Sequence, residues 1–341
     1  MDMLTEALDR LFRERAAPEV VRRIEAGESP ASLWAEVHDS GFLDILLSEE
    51  KGGAGVSLSE AFPSFMLAGT HALPVPFVQT VMARAWLDAH GVEAPQGMIA
   101  IAGPETHRSA DGGLGARNVA FGKVADWVLA EFDDLWALLP TEAARIENEQ
   151  IRGSQTADLF WISLPTTALL VSSDSGSACS PAQLGAAALT PLLAGAARQA
   201  LDMTLAHVAE RQQFGRAIAQ FQAVQNQVSM MAERVWAMRM AACLAFHASG
   251  VQPSISLTAV AKARCSEAAV LVADIAHALH GAIGITEEYD LQLHTRRLRE
   301  WRRAGGTEAW WARRLGHTVQ ASKGSVLDFI IAKTGAAAAT A

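Results

Sequence analysis

Apolar positions recur along this chain in two rhythms, and the change of rhythm divides it. Leu4, Leu8 and Leu11 repeat at intervals of three and four, and residues 33–37, 62–67 and 75–87 follow suit, which predicts several short amphipathic helices. In "SEEKGGAGVSLSEA", Gly52, Gly53 and Gly55 interrupt the chain and Ser57 or Ser59 can cap the helix that follows. Between Met98 and Leu184 the rhythm shortens. "MIAIAG", "VAFGKV", "WVLAEF", "LWALLP", "FWISLP" and "ALLVSS" are brief apolar runs bounded by Gly, Asp, Pro and Ser, and they predict strands. Helical periodicity returns from Leu189 to about Ser249 and from Ser254 to Gly281, through Leu201, Leu205, Val208, Val224, Val228, Met231, Val235 and Met238. "SGVQPS" separates these stretches, with Gly250 as a stop and Ser254 or Ser256 as a cap. Helices of ~25 residues joined by short turns predict an antiparallel bundle.

The expected fold is therefore mostly α with a small β domain. It comprises an N-terminal α-helical domain (residues 1–97), a short β-barrel-like middle domain (98–184), a C-terminal four-helix bundle (185–330) and a frayed tail (331–341). With 341 residues, 50% of them hydrophobic, the chain can bury one large core or two to three smaller ones. Its net charge of −9 and lack of any long basic run exclude the stripe that nucleic-acid backbones require. Cys179, Cys243 and Cys265 stand far apart without a CxxC pair, so they suggest a reducing cytoplasm and no metal site. The amphipathic N-terminus lacks an apolar export core and no stretch holds ~20 uninterrupted apolar residues, so neither export nor membrane insertion is expected.

One stretch interrupts the helical texture with candidate chemistry. "RQQFGRAIAQFQAVQ", residues 211–225, carries Arg211, Gln213, Phe214 and Gln222. Arg211 can offer a planar, charge-assisted fork to a diphosphate and Gln213 an amide beside it. Gln222 lies eleven residues beyond Arg211, three turns on if the helix is continuous, which would put both on one side. The same residues suit a solvated helix edge with Phe214 packed inward.

"ERQQFGRAIAQFQAVQ" and "LHGAIGITEEYDLQLHTRRLRE", followed by "GGTEAWWARRLG", resemble the paired C-terminal signatures of the acyl-CoA dehydrogenase family. "LWAEVHDSGFLDILLSEEKGGAGVSLSEAFPSFMLAGTHALPVPF" is similar to that family's opening domain, and the resemblance extends from about Leu33 to Gly316. It implies α,β-oxidation of an acyl-CoA thioester, with a carboxylate taking the α-proton, FAD accepting the hydride and an electron-transfer flavoprotein reoxidising the flavin. It also implies that FAD lies between subunits, with Arg211, Gln213, Phe214, Gln222, Gly281, Gly284 and Thr307 as cofactor contacts. This chain departs from the motif at Ala278, where a glutamine is usual, and at Ala282, where a second glycine is usual.

The resemblance also implies a glutamate in one of two places, which here read Gly305 and Gly185. Glycine cannot take a proton, so the nearest substitute is Glu308, a weak candidate that a helix's first turn also favours for dipole reasons. Glu287 and Glu288 read as solvated bundle-end charges, His280 as a packed or capping histidine, and Trp161 as a strand aromatic or a flavin neighbour. The family's flavin-lining loops have no clear counterpart in the short β domain.

In these absences the chain resembles the base-lacking subunit of heterotetrameric bacterial members that act on steroid-derived acyl-CoA. The resemblance implies a related partner subunit bearing the catalytic glutamate. "EWRRAGGTEAWWARRLGH" supplies Trp301, Trp310 and Trp311 either as interface anchors or as core. Two alternatives stay open: a homo-oligomer with a displaced base, and a scaffold that binds no flavin.

Overall fold

The computed structural model describes residues 3–133, 135–147, 153–172, 179–247 and 250–338. Five helices open it: α1 (Met3–Arg15), α2 (Pro18–Glu25), α3 (Ala31–Asp39), α4 (Leu58–Thr70) and α5 (Phe77–Ala89). Ser57 caps α4 in a reciprocal box, its backbone N–H donating to Glu60 (2.9 Å) and its hydroxyl accepting from the Glu60 N–H (3.3 Å). Ser59 serves elsewhere, donating to the Phe246 carbonyl at 3.1 Å. A Cβ on Gly53 would stand 2.2 Å from the Leu47 carbonyl oxygen, so that part of the glycine run is a tightly folded turn.

The middle of the chain forms two four-stranded sheets. Their strands are β1 (Ile99–Ile101), β2 (Thr106–Arg108), β3 (Leu114–Val119), β4 (Trp127–Phe132), β5 (Leu135–Pro140), β6 (Arg145–Glu147), β7 (Ala157–Trp161) and β8 (Leu169–Val171). One sheet runs β1-β4-β5-β8 and the other β2-β3-β7-β6. Val128, Ala130, Phe132, Ala137 and Leu139 face the second sheet, whereas Leu129, Trp136 and Leu138 face the helices. Burial on both faces explains why "WVLAEF" and "LWALLP" read as unbroken apolar runs.

The polar strands β2 and β6 are edges of the other sheet and leave no such run. "VAFGKV" departs from the strand expectation. Beyond the end of β3 at Val119 it is a turn through Phe121, whose φ is +63° and whose ring packs 5.9 Å from Trp301.

The bundle comprises α6 (Pro181–Glu210), α7 (Gln222–Phe246), α8 (Ile255–His280) and α9 (Leu291–Arg303), with α10 (Glu308–Ala321) packed on α8. The expected helix end near Ser249 lies outside the described residues. Helix α4 meets α6 closely because Gly69 and Gly195 face backbone: added Cβ atoms would stand 2.1 Å from the Leu192 carbonyl oxygen and 2.0 Å from that of Met66. Helix α8 is long and apolar enough by length and composition to cross a membrane, which the search for an uninterrupted apolar run did not flag. In the fold it packs against α6, α7, α9 and α10 and buries Lys262.

Arg22 donates to the carbonyls of Glu287 (3.0 Å) and Glu288 (3.2 Å) and pairs with Asp290, pinning the segment ahead of α9. Arg297, buried with Glu25, donates to the Ala72 carbonyl and ties α9 itself to the N-terminal helices. One expectation changes near the C-terminus. Helix α11 (Val326–Ala338) occupies much of the segment read as frayed, in keeping with the high helix propensity of its alanines. Of the two alternatives left open for the tryptophans, core holds for Trp301 and Trp311, which are fully buried, while Trp310 is partly exposed.

Candidate functional site

The α6 helix stops at Glu210, and residues 211–221 do not continue it. Strands β9 (Gln212–Gln213) and β10 (Arg216–Ala217) form a small antiparallel hairpin, and a short 3-10 turn leads into α7. Phe214 and Gly215 form the hairpin's tip with φ of +51° and +78°, two successive left-handed residues as tight hairpin turns require. The spacing of Phe214, Ile218 and Phe221 imitates helical periodicity, and that imitation hid the hairpin. Arg211 and Gln222 therefore share no helix face. Gln222 starts α7 and donates to Asn226 at 3.1 Å.

The hairpin presents its chemistry outward. Arg211 and Gln213 are exposed, and no side-chain hydrogen bond or ion pair to another described residue holds either one. Phe214 is 91% exposed, against the expectation of an inward ring. It stands edge-on to Phe221 at 6.1 Å, while the Arg216 guanidinium lies 4.2 Å over the Phe221 ring. A bulky residue with positive φ and a solvated ring bears two costs, against which the fold sets a single edge contact with Phe221.

The second motif lies beside the first. His207, one turn before Arg211, stacks on His280 with ring centroids 4.3 Å apart and planes 23° from parallel, and His280 directly precedes Gly281. Gly281 is exposed, has φ of +65°, and has nothing within 4 Å of a built Cβ, so its backbone is open to close approach. Gly284 serves a different need, for an added Cβ would sit 2.9 Å from the His280 Cβ and 3.2 Å from Leu291. Thr286 donates to the Ile283 carbonyl at 2.9 Å, and Ala278 and Ala282 are exposed.

The positions of the missing carboxylates are built in the opposite way. Gly305 has φ of +66°, and a Cβ there would lie 2.8 Å from Leu189 Cδ1 and 3.4 Å from Ala186. Gly103 comes so close that its own Cβ would fall 2.6 Å from Gly305 Cα. The buried Trp311 indole donates to the Gly305 carbonyl at 2.7 Å. Gly185 is closed off too, since a Cβ would meet Ile101 at 3.0 Å and the Ala102 carbonyl oxygen at 3.2 Å. Neither position has room for an acid, let alone a substrate beside it. Thr307 is the N-cap of α10, its hydroxyl accepting from the Trp310 N–H at 3.3 Å.

Glu308 is held by Arg302. Burial raises its pKa, but its own backbone N–H, the Arg302 hydrogen bond and the nearby Arg302 and Lys262 charges outweigh that and leave it below the usual carboxylate value. A carboxylate so stabilised is a poor base. Trp161 is buried and donates to the Pro140 carbonyl at 2.9 Å, which makes it a strand aromatic.

Two residues that matter here escaped the sequence reading. His207 looked like one more polar position on a long helix. Lys262 lies in an apolar run, the only available signal of its role. Fully buried, Lys262 donates to Ser266 (2.9 Å) and to the carbonyls of Arg302 (3.0 Å) and Gly306 (2.8 Å). Burial pushes its amine down to about 7, so it acts as an internal strut for the Gly305–Gly306 turn.

Two family profiles match the chain: acyl-CoA dehydrogenase, N-terminal domain, over residues 1–96, and acyl-CoA dehydrogenase, C-terminal domain, over residues 180–319. The chain is similar to the acyl-CoA dehydrogenase IpdE2 of Mycolicibacterium smegmatis, at 29% identity over 303 residues, covering 87% of this chain and 91% of the relative. The fold is shared with the ChsE4–ChsE5 complex of Mycobacterium tuberculosis, at a TM-score of 0.79 and 21% identity, covering 94% of this chain and 97% of the other. It is shared as well with a variant of the Tcur3481–Tcur3483 steroid ACAD, at a TM-score of 0.78 and 22% identity, covering 93% and 96%.

Proposed function

The chain belongs to the acyl-CoA dehydrogenase family, and from that premise we propose that it completes the FAD site of a related subunit that carries the catalytic glutamate. The observation that carries this reading is the outward hairpin, where the side chains of Arg211 and Gln213 pair with no other described residue and Phe214 holds a costly exposed conformation. Such a donor set fits a diphosphate and flat ring system belonging to a neighbouring chain. Gly281, open on its outer side, offers backbone beside them. Gln222, Gly284 and Thr307 remain cofactor contacts only as proposals, with Gly284 and Thr307 acting through the turns they shape.

When bound, FAD supplies the hydride acceptor for oxidising a thioester's α,β carbon–carbon bond. This chain's own residues fit only one end of that group. Its base positions are glycines where a side chain would run into Leu189 and Ala186 at Gly305, and into Ile101 and the Ala102 carbonyl at Gly185, so proton abstraction from an acyl-CoA substrate falls to the partner. Glu308, engaged by Arg302, argues against a homo-oligomer with a displaced base. The unpaired Arg211 argues against a scaffold without flavin, which has no use for a free guanidinium there.

A further part of the reading is that the acyl group is steroid-derived and the electrons leave through an electron-transfer flavoprotein. The steroid part is supported by the steroid ACAD among the solved relatives. A cytoplasmic location accompanies it, supported by three unpaired cysteines. The test is co-expression with neighbouring family genes, followed by purification and a visible spectrum. About one FAD per pair of unlike chains is expected, and a yellow, active protein obtained from this chain alone overturns the reading.

A further inference from the structure

We propose that the stacked His207–His280 pair is a proton-sensitive clasp aligning Arg211 with the Gly281 turn, so that this chain grips the partner's FAD firmly only while both rings are neutral. The inference rests on the reading above that Arg211 reaches that cofactor.

The geometry places the pair at the one point where the two motifs meet. His207 lies in the last turn of α6 and its carbonyl accepts the Arg211 N–H at 2.8 Å. His280 ends α8, and its Nδ1–H donates to the Ala276 carbonyl at 2.8 Å, which leaves Nε2 as a bare acceptor. That Nε2 is buried without a hydrogen-bond partner among the described residues. Tyr289 closes over the far side of His280 at 5.3 Å, and Gly284 packs beneath its Cβ. Movement of His207 therefore shifts the root of the hairpin, while movement of His280 shifts the turn that carries Gly281.

Parallel imidazoles 4.3 Å apart tolerate little charge, because two cations so close repel and neither is fully hydrated. The charged and titratable groups around the pair are Glu210 at the end of α6, Arg211 just beyond it, His277 on α8, and Tyr289 and Asp290 ahead of α9. Burial and the Arg211 charge hold His207 below the ordinary histidine value, Glu210 opposing them only in part. Burial likewise lowers His280, with His207 and His277 adding to it against the Ala276 carbonyl. For bases with lowered pKa, the stabilisation is complete above the unfolded value of about 6.5 and is lost as the pH falls below it toward the folded values.

The test compares the co-purified complex of this chain and its partner as native protein and as His207→Phe, His207→Ala and Arg211→Ala. FAD retained after desalting is measured between about pH 5 and pH 8, the range a histidine spans. In parallel, hydrogen exchange at residues 212–217 of this chain alone is followed relative to intrinsic rates. The native complex is expected to lose most of its FAD at the acid end, and its hairpin amides to exchange faster there. His207→Phe keeps an aromatic stack with only His280 left to titrate and is expected to weaken the pH dependence of both profiles, whereas His207→Ala retains FAD poorly throughout. A native pH profile in His207→Phe, for retention and exchange alike, overturns the clasp. Undiminished FAD in Arg211→Ala overturns the flavin reading, and with it the grip proposed here, even where the exchange profiles behave as expected.

Discussion

Just past the C-terminal end of α6, the Arg211 and Gln213 side chains stand in solvent and pair with no other described residue, and Phe214 holds a left-handed backbone behind an exposed ring. Near the start of the same helix, Gly185, Ala186 and Leu189 press against Ile101 and Gly305, and the Trp311 indole seals the carbonyl beyond. The first region keeps polar capacity that its own fold does not use, and the second has spent every ångström on packing. Side chains left unpaired at a structural cost speak for a contact outside the chain. A position whose Cβ has nowhere to go speaks against chemistry inside it.

The strongest way to break this contrast is Gly305→Glu, which restores the family's acid. Positive φ, overlap with Leu189 and an unpaired buried carboxylate should together cost on the order of 5 kcal/mol, read as a large drop in thermal midpoint or a failure to fold. A stable variant with an unchanged midpoint would show that the site is not closed. Trp311→Ala comes next, at about 3–5 kcal/mol for an emptied core position, since it also leaves the Gly305 carbonyl unpaired; denaturant titration measures it.

On the open side the expected effects move from stability to binding. Arg211→Ala should weaken FAD retention in the complex by about tenfold to a hundredfold, as loss of charge-assisted hydrogen bonds of about 1.5–3 kcal/mol implies, while this chain's own unfolding midpoint stays put. A fall in that midpoint with flavin content unaltered would reverse the roles assigned to the two ends. The smallest effect is expected of Phe214→Gly. Relief of the left-handed strain should offset the added chain entropy and leave stability within about 1 kcal/mol of the native value, or above it. Marked destabilisation would mean that the ring has an internal function.

Much of this was legible in the letters. Strands buried on both faces announce themselves as unbroken apolar runs, so "WVLAEF" and "LWALLP" marked β4 and β5, and the pair of candidate caps Ser57 and Ser59 marked the start of α4, where Ser57 serves. Polar edge strands β2 and β6 announce nothing, because one face meets water. The hairpin was obscured because Phe214, Ile218 and Phe221 fall at helical spacing while Gly215 alone signals the turn. At the candidate site, Arg211 and Gly305 were readable as a donor kept and a base lost. That a side chain at Gly305 would overlap Leu189 depends on a contact made only in three dimensions, and so does the meeting of His207 with His280.

The sealing of Gly305 also bears on descent. An acid returning there would meet a left-handed backbone and an overlap with Leu189, so the first substitution back would cost stability before it restored anything. On the proposed reading, reliance on a second polypeptide works as a ratchet, and the two genes are bound to be inherited together for as long as the pathway they serve is under selection.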